Sequence, residues 1–391
     1  MSVKILTFST LYPNAIRPFH GVFVENRLRQ LLSSGQVSAR VLAPIPWFPS
    51  AHPRFGLYAD YARTPVHELR HGISVDHPRY PVIPKIGMNI APYFLYRWAR
   101  PYVARLIRNG HDFDLIDAHY FYPDGVAAAM LARDFKKPFV VTARGADINQ
   151  IATFPKPRRL IQWAANQADA VITVCQALKD GLTNLGVSQT PITVLRNGVD
   201  LEGFRPANRD VTRSKLGLRA RTMISVGHLI PRKAHDLVIA ALRYLPETGL
   251  MIVGDGPEDS NLRNLATRIG VTDRVRFLGW INHEDLPDFY SASDAMVLAS
   301  SSEGWANVLL ESMACGTPVV ASNIPGTDDI VTAPEAGILM RERTPEALAD
   351  AARTLLAAPP ERAETRAFAE KFSWDTTTEG QLALFRSILQ A

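Results

Sequence analysis

Cysteine is scarce: the chain has two, Cys175 and Cys315, each inside an apolar run. Two thiols cannot frame a disulfide scaffold, and buried ones fit a reducing compartment. No His/Cys cluster has zinc-ligand spacing, so no metal ligands are expected. No run of 18 apolar residues exists, so no membrane-spanning helix is expected. Met1–Thr10 lacks the basic segment, long apolar region and small-residue cleavage site of a signal peptide, and reads as a strand. Low-complexity segments and short repeats are absent. No G-x-G-x-x-G follows the first strand, which argues against a dinucleotide-dependent dehydrogenase. These absences leave a cytoplasmic protein as the expectation.

With 391 residues the chain is too long for one ordinary core and fits two domains of roughly 150–200 residues. Hydrophobic residues make up 47% and charged residues 21%, as in a globular protein. The net charge of +5 hides an asymmetry. Residues 1–200 hold 23 Lys and Arg against 13 Asp and Glu, a balance of +10; the remainder holds 20 against 25, a balance of −5. A basic half beside an acidic half suits an anionic partner for the first half, although solvated faces with a chance imbalance give the same count.

Short β-rich runs alternate with helical patterns. The first half has strand candidates at Val3–Phe8, Val37–Ala43, Leu115–Ala118, Phe139–Thr142, Ala170–Val174 and Ile192–Leu195. The second half has them at Thr222–Val226, Leu250–Val253, Val275–Leu278, Ala295–Leu298 and Pro318–Ala321. Most are continuous apolar runs, as in parallel sheets buried on both faces. Helical stretches at Val22–Leu32, Asp236–Leu245 and Ser260–Ile269 give βαβ logic used twice. Asn, Gly, Pro and charge accumulate at Gly198–Arg209, the expected boundary.

The sharpest segment is Ser300–Ala321, SSSEGWANVLLESMACGTPVVA. It reads as a polar loop, a helix over Val308–Cys315 with Asn307 as N-cap and Gly316 as its stop, then a strand. Glu303 then precedes the helix N-terminus and Glu311 lies about one turn inside it. Backbone N–H groups around Trp305–Val308 favour anions there, and carboxylates accept hydrogen bonds from sugar hydroxyls. On spacing alone the same segment is equally a capped helix with two exposed glutamates.

This segment resembles the signature of the family-4 retaining glycosyltransferases: two glutamates separated by seven residues, then a Gly-Thr-Pro-Val-Val stretch. The resemblance covers nearly the whole chain. Arg196–Asp200 with Phe204-Arg205-Pro206, Ser225-Val226-Gly227 with Pro231-Arg232-Lys233, Val253–Pro257 and Phe277-Leu278-Gly279 match further family motifs in order. It implies an α/β protein of GT-B fold, two Rossmann-like doubly wound domains facing each other across a cleft. The expected domains are an acceptor-side domain, 1–198, with a C-terminal helix, 372–391, packing back on it, and a nucleotide-sugar domain, 199–371.

By resemblance the donor is a nucleotide-diphosphate sugar, the acceptor a glycan or lipid-linked polysaccharide precursor, and transfer retains configuration. No cofactor or metal is expected, in keeping with a reading that finds no Asp-x-Asp carboxylate pair, and no nucleic-acid partner. Glu303 contacts the donor sugar and Glu311 the ribose. Gly304, Trp305, Ala306 and Asn307 line the donor, and Gly279 and Trp280 border the base. Lys233 neutralises the leaving diphosphate, a task for a preorganised cation. The family's earlier Arg is replaced by His228, so Arg232 is the alternative second cation. Gly21 replaces the common Gly pair near the donor phosphate and is also readable as a helix-start glycine. His119, in Asp117–Gly125 (DAHYFYPDG), matches the active-site histidine, as polariser or proton relay; a histidine at a strand end is also commonly structural. Arg144 stands where His is common and suits an anion or the acceptor; Asp147 beside it is equally a loop cap.

Alternatives within the fold are an epimerase, a phosphorylase with lysine-bound pyridoxal phosphate, or a non-catalytic nucleotide-sugar-binding protein. Residues Asn89–Arg108 have helical periodicity. Phe94, Leu95, Trp98, Tyr102 and Leu106 project onto one face and Arg97, Arg100 and Arg108 onto another. Such a surface suits either packing on the sheet or peripheral contact with an anionic membrane.

Overall fold

The computed structural model describes residues 2–82, 87–218 and 221–390. Met1 and Ala391, the outer ends of the expected first strand and closing helix, lie outside them. The chain divides into two compact units, Met1–Arg196 with Asp375–Ala391, and Asn197–Trp374. The divisions at 196/197 and 374/375 stand beside the expected 198/199 and 371/372.

The first unit contains β1 (Val3–Phe8), β2 (Val37–Leu42), β3 (Ile45–Pro46), β4 (His67–Arg70), β5 (Ile73–Asp76), β6 (Arg79–Tyr80), β7 (Leu115–His119), β8 (Phe139–Ala143), β9 (Ala170–Thr173) and β10 (Ile192–Val194). Eight of them form one sheet in the order β10-β9-β8-β7-β1-β2-β5-β4, and β3 pairs with β6. All ladders of the large sheet are parallel except β4–β5. The strand order reverses between β1 and β7, and open α/β sheets bind ligands outside the carboxyl ends at such a point. One face of the sheet is covered by helix Val22–Ser33, through Val24, Leu28 and Leu31, and by helix Trp374–Gln390, through Leu382 and Phe385.

Helix Gly87–Arg108 runs unbroken through Pro92 and Pro101. Its buried face is Pro92, Leu95, Ala99, Val103 and Leu106. The projected face is therefore corrected: Leu95 and Leu106 belong to it, whereas Trp98 is 41% exposed and stacks edge-on against Phe94 beside Arg97. Small Ala99 and Val103 seat the helix closely, which turns the large ring outward.

The second unit contains β11 (Arg221–Val226), β12 (Thr248–Val253), β13 (Val275–Gly279), β14 (Ala295–Leu298), β15 (Val319–Ser322) and β16 (Gly337–Met340). All are parallel, in the order β13-β12-β11-β14-β15-β16, so the reversal falls between β11 and β14. Met223, Leu250, Ile252, Val297 and Val320 form its core with Val238 and Leu348 from flanking helices. The loops after β11 and β12 touch backbone to backbone. Gly254 has φ +135, and a Cβ there would lie 2.0 Å from Gly227 O, so only glycine permits the contact.

Candidate donor site and the buried cluster at the first sheet's edge

In the second unit, Pro231–Lys233 forms a short 3-10 turn after β11, and the loop after β14 brings Glu303 to it. Lys233 Nζ donates to Glu303 Oε1 at 2.6 Å. Arg232 Nη1 donates to Ser302 O at 2.7 Å and approaches Glu303 Oε2 at 3.5 Å. Ser301 N donates to Arg232 O at 2.9 Å, which ties the two loops together. Two cations and a buried carboxylate thus meet beside the strand-order reversal. His228 is 57% exposed and lies 3.5 Å from Asp255 Oδ1.

The helix after Glu303 spans Asn307–Ala314, with Ala306 at the cap and no side-chain capping bond. Asn307 is therefore the first helical residue and not the N-cap, and its N–H bonds Trp305 O at 3.1 Å. Trp305 and Ala306 are buried, and Gly304 and Asn307 are partly so. Glu311 accepts from Tyr290 Oη at 3.2 Å and lies 3.4 Å from His283 Nε2. Burial lowers the His283 pKa, but the bond to Glu311 and its charge outweigh this and raise it. Gly279 ends β13 at φ +66, and Trp280 beside it is 48% exposed.

In the first unit, Gly21 caps helix Val22–Ser33 in the left-handed region at φ +73. A Cβ there would lie 2.3 Å from Leu11 C and O, so the loop admits only glycine. Buried Asp124 accepts from Ser9 Oγ, Thr10 N and Thr10 Oγ1. Burial still pushes its pKa up to about 7 against those bonds.

His119 ends β7, and its ring is almost fully buried. Its Nε2 lies 3.2 Å from Asp117 Oδ2, and its Nδ1 lies 2.7 Å from Arg144 Nη2. Both ring nitrogens are thus held within the unit. Burial, then Arg144, brings the pKa down to about 4 despite Asp117. Asp147 is a loop cap, accepting from Phe121 N, Arg144 N and Gly145 N.

Sequence reasoning passed over two features. Arg27 and Gln381, far apart in the chain, join the His119 cluster, and nothing in their local sequence marks them. Asp112-Phe113-Asp114 has the Asp-x-Asp spacing associated with metal-bound diphosphates, which corrects the expectation that no such pair is present. It precedes β7, at the amino end of the sheet. Asp112 pairs with Lys137 at 2.8 Å, and Asp114 accepts from Lys4 N at 2.8 Å.

Comparison with known proteins follows the same division. Residues 41–202 match the family described as Glycosyltransferase Family 4, and residues 208–372 match Glycosyl transferases group 1. A Bacillus subtilis protein named for glycosyl transfer in teichuronic acid biosynthesis is 30% identical over 367 residues, 89% of this chain and 88% of its own. A D-inositol 3-phosphate glycosyltransferase of Saccharomonospora viridis is 32% identical over 308 residues, 71% of each chain. Among solved structures, sucrose-phosphate synthase of Thermosynechococcus elongatus superposes with TM-score 0.82 at 21% identity over 100% of both chains. Anabaena HepE in complex with UDP gives 0.74 at 22% identity, over 99% of this chain and 100% of its own. These two structures bear on the fold alone. With the matched motifs, the doubly wound sheets and a relative alike over most of its length, the chain belongs to the family-4 glycosyltransferases and has their GT-B fold.

Proposed function

We propose that the enzyme transfers a sugar with retention of configuration from a nucleotide-diphosphate sugar to a glycan or lipid-linked acceptor, without a metal ion, on the cytoplasmic face of an anionic membrane. The observation that carries this reading is the Lys233–Glu303 pair, with Arg232 beside it, at the strand-order reversal of the second sheet. Lys233 and Arg232 take the diphosphate and stabilise the charge that grows as it leaves. Arg232 serves in place of the family's usual Arg, because His228 points to solvent and Asp255. Glu303 accepts from hydroxyls of the transferred sugar, and Glu311 accepts from the ribose. The acceptor attacks the face from which the diphosphate departs, through an oxocarbenium-like state, and the diphosphate takes the acceptor proton.

Relatives support an anionic acceptor or product: the inositol phosphate and teichuronic acid relatives carry such groups in their names. No helix among the described residues is long and apolar enough to cross a membrane. Exposed Tyr93 and Trp98, with Arg97, instead support peripheral contact through helix Gly87–Arg108. Incubation with a panel of UDP-, ADP- and GDP-sugars, with the anomer of the released or transferred sugar read by proton NMR, tests the reading. Absence of turnover with every donor, or an inverted product, refutes it.

A further inference from the structure

Three neighbouring strands of the first unit carry a polar row across one buried face. In the parallel ladders Thr7 is the partner of Asp117, and His119 is the partner of Thr142. Two residues earlier, on the same face, stand apolar Ile5, Leu115 and Val140. The face is thus greasy toward its amino end and polar at its carboxyl end, with all four polar residues at most 1% exposed. The covering helices supply matching groups: Arg27 Nε donates to Gln381 Oε1 at 2.8 Å, and Gln381 Nε2 donates to Asp117 Oδ2 at 3.3 Å. Burying polar groups is costly, and packing alone does not call for such a row.

His119 has a defined state within it. A guanidinium only donates, so the 2.7 Å contact with Arg144 Nη2 makes Nδ1 the acceptor and puts the ring proton on Nε2, toward Asp117. Arg144 is constrained from three sides: by His119, by Asp147 Oδ1 on its backbone N–H at 3.1 Å, and by the Phe23 ring 5.3 Å away. Burial, then Arg27, brings its pKa down to about 9, which leaves it a cation at neutral pH. It follows β8, the strand next to β7 on one side of the strand-order reversal, and it is 9% exposed where His119 is 1%. A planar fork fixed there matches a carboxylate or phosphate.

We infer that His119 is a positioning residue in this enzyme: the Asp117–His119 pair holds the Arg144 guanidinium, and Arg144 receives the acidic group of the acceptor. The acceptor is then an acidic sugar or a phosphorylated polyol. The inference rests on the glycosyl-transfer reading for the word acceptor, but its tests do not depend on turnover.

Histidine-selective 15N NMR of the full chain between pH 5 and 8 reads the ring directly. A resonance absent from His119→Asn should show a neutral ring protonated on Nε2 that does not titrate. Titration within that range, or a proton on Nδ1, overturns the strut. Binding of glucuronate against glucose, and of inositol 3-phosphate against inositol, is followed by the Arg144 Hε shift, assigned with Arg144→Gln. At least one acid should move it while its neutral partner does not, and the two acids separate carboxylate from phosphate. Arg144→Gln should weaken that acid about ten- to hundredfold, the effect of one charged hydrogen bond. His119→Asn keeps an acceptor for Arg144 and should retain acid binding, whereas His119→Ala should lose it as Arg144→Gln does. If neither acid moves the Hε resonance, the anion role falls. If His119→Asn abolishes acid binding as fully as His119→Ala, the strut falls. Failure of the wild type to turn over any nucleotide sugar sinks the glycosyl-transfer reading and leaves these binding results standing.

Discussion

Lys233 and Glu303 form a 2.6 Å ion pair between two loops that leave the second sheet on either side of its strand-order reversal. The lysine sits in a 3-10 turn and the glutamate at the end of a polar loop, so each fixes the other before any donor arrives.

Lys233→Ala should reduce turnover on the order of 10²–10³-fold, the usual effect of losing one preorganised charge stabiliser. Single-turnover kinetics with the accepted nucleotide sugar measures it. Near-normal turnover would remove Lys233 from the leaving-group role.

Glu311 separates binding from folding. Glu311→Ala should raise the donor KM through the lost ribose acceptor. It should also leave the fully buried Tyr290 hydroxyl unpaired, at about 1–3 kcal/mol of stability. Glu311→Gln keeps an acceptor for Tyr290 and should spare much of that stability. Equal melting temperatures for the two variants, measured by calorimetry, would contradict this.

On the proposed roles of Lys233 and Arg232 as carriers of the charge that a metal would otherwise hold, activity should survive excess chelator. Loss in EDTA that only Mg²⁺ or Mn²⁺ restores would defeat the cation account.

Sedimentation with anionic vesicles tests the membrane face. Arg100 is paired with Asp134 at 2.7 Å and is the weaker choice for substitution; Arg97, Trp98 and Arg108 are exposed. Binding at low salt should weaken at high salt and in a variant with Arg97→Gln, Trp98→Ala and Arg108→Gln. Binding indifferent to both, or none at low salt, would favour an enzyme that works away from membranes.

The pH dependence of stability follows from buried titratable groups. Burial brings His20, His119 and His235 each from 6.5 down to about 4. The unfolded chain takes up these protons below about 6.5 and the folded one only near 4, so stability should fall across that window as pH drops. Asp124, pushed up to about 7, acts oppositely: its contribution is full below about 3.8 and is lost as pH rises through 7. Asp147, raised by burial, and His283, raised through Glu311, act with Asp124, so the histidine part is read by substitution: His235→Asn should lessen the fall in melting temperature between pH 7 and pH 5 relative to the wild type. An unchanged fall would reverse the assignment of that histidine.

The sheets were largely legible because their strands are apolar runs with sharp ends. Val3–Phe8 and Ala295–Leu298 coincide with the expected segments. The β4–β5 hairpin was not legible, since His67–Arg70 is a polar edge strand with no buried face to impose alternation. Helical projection grouped Trp98 with Leu95 and Leu106, but the buried face also takes in Ala99 and Val103, whose smallness lets the helix approach. Glu303, Glu311 and Lys233 could be named from motif spacing. The state of His119 could not, because its partner Arg144 lies 25 residues away and meets it only through the β7–β8 ladder.

Helix Trp374–Gln390 completes a unit whose other residues end at Arg196. On the ribosome, the first sheet is made early, yet Leu382, Phe385 and Gln381 emerge only after the whole second unit has been synthesised. Until then helix Val22–Ser33 covers that face alone, and the Asp117 carboxylate lacks the Gln381 donor. The bonds of Gln381 to Asp117 and Arg27, and the packing of Leu382 and Phe385, therefore wait through translation of some 180 residues, although Asp117, His119 and Arg144 are all made before the second unit begins.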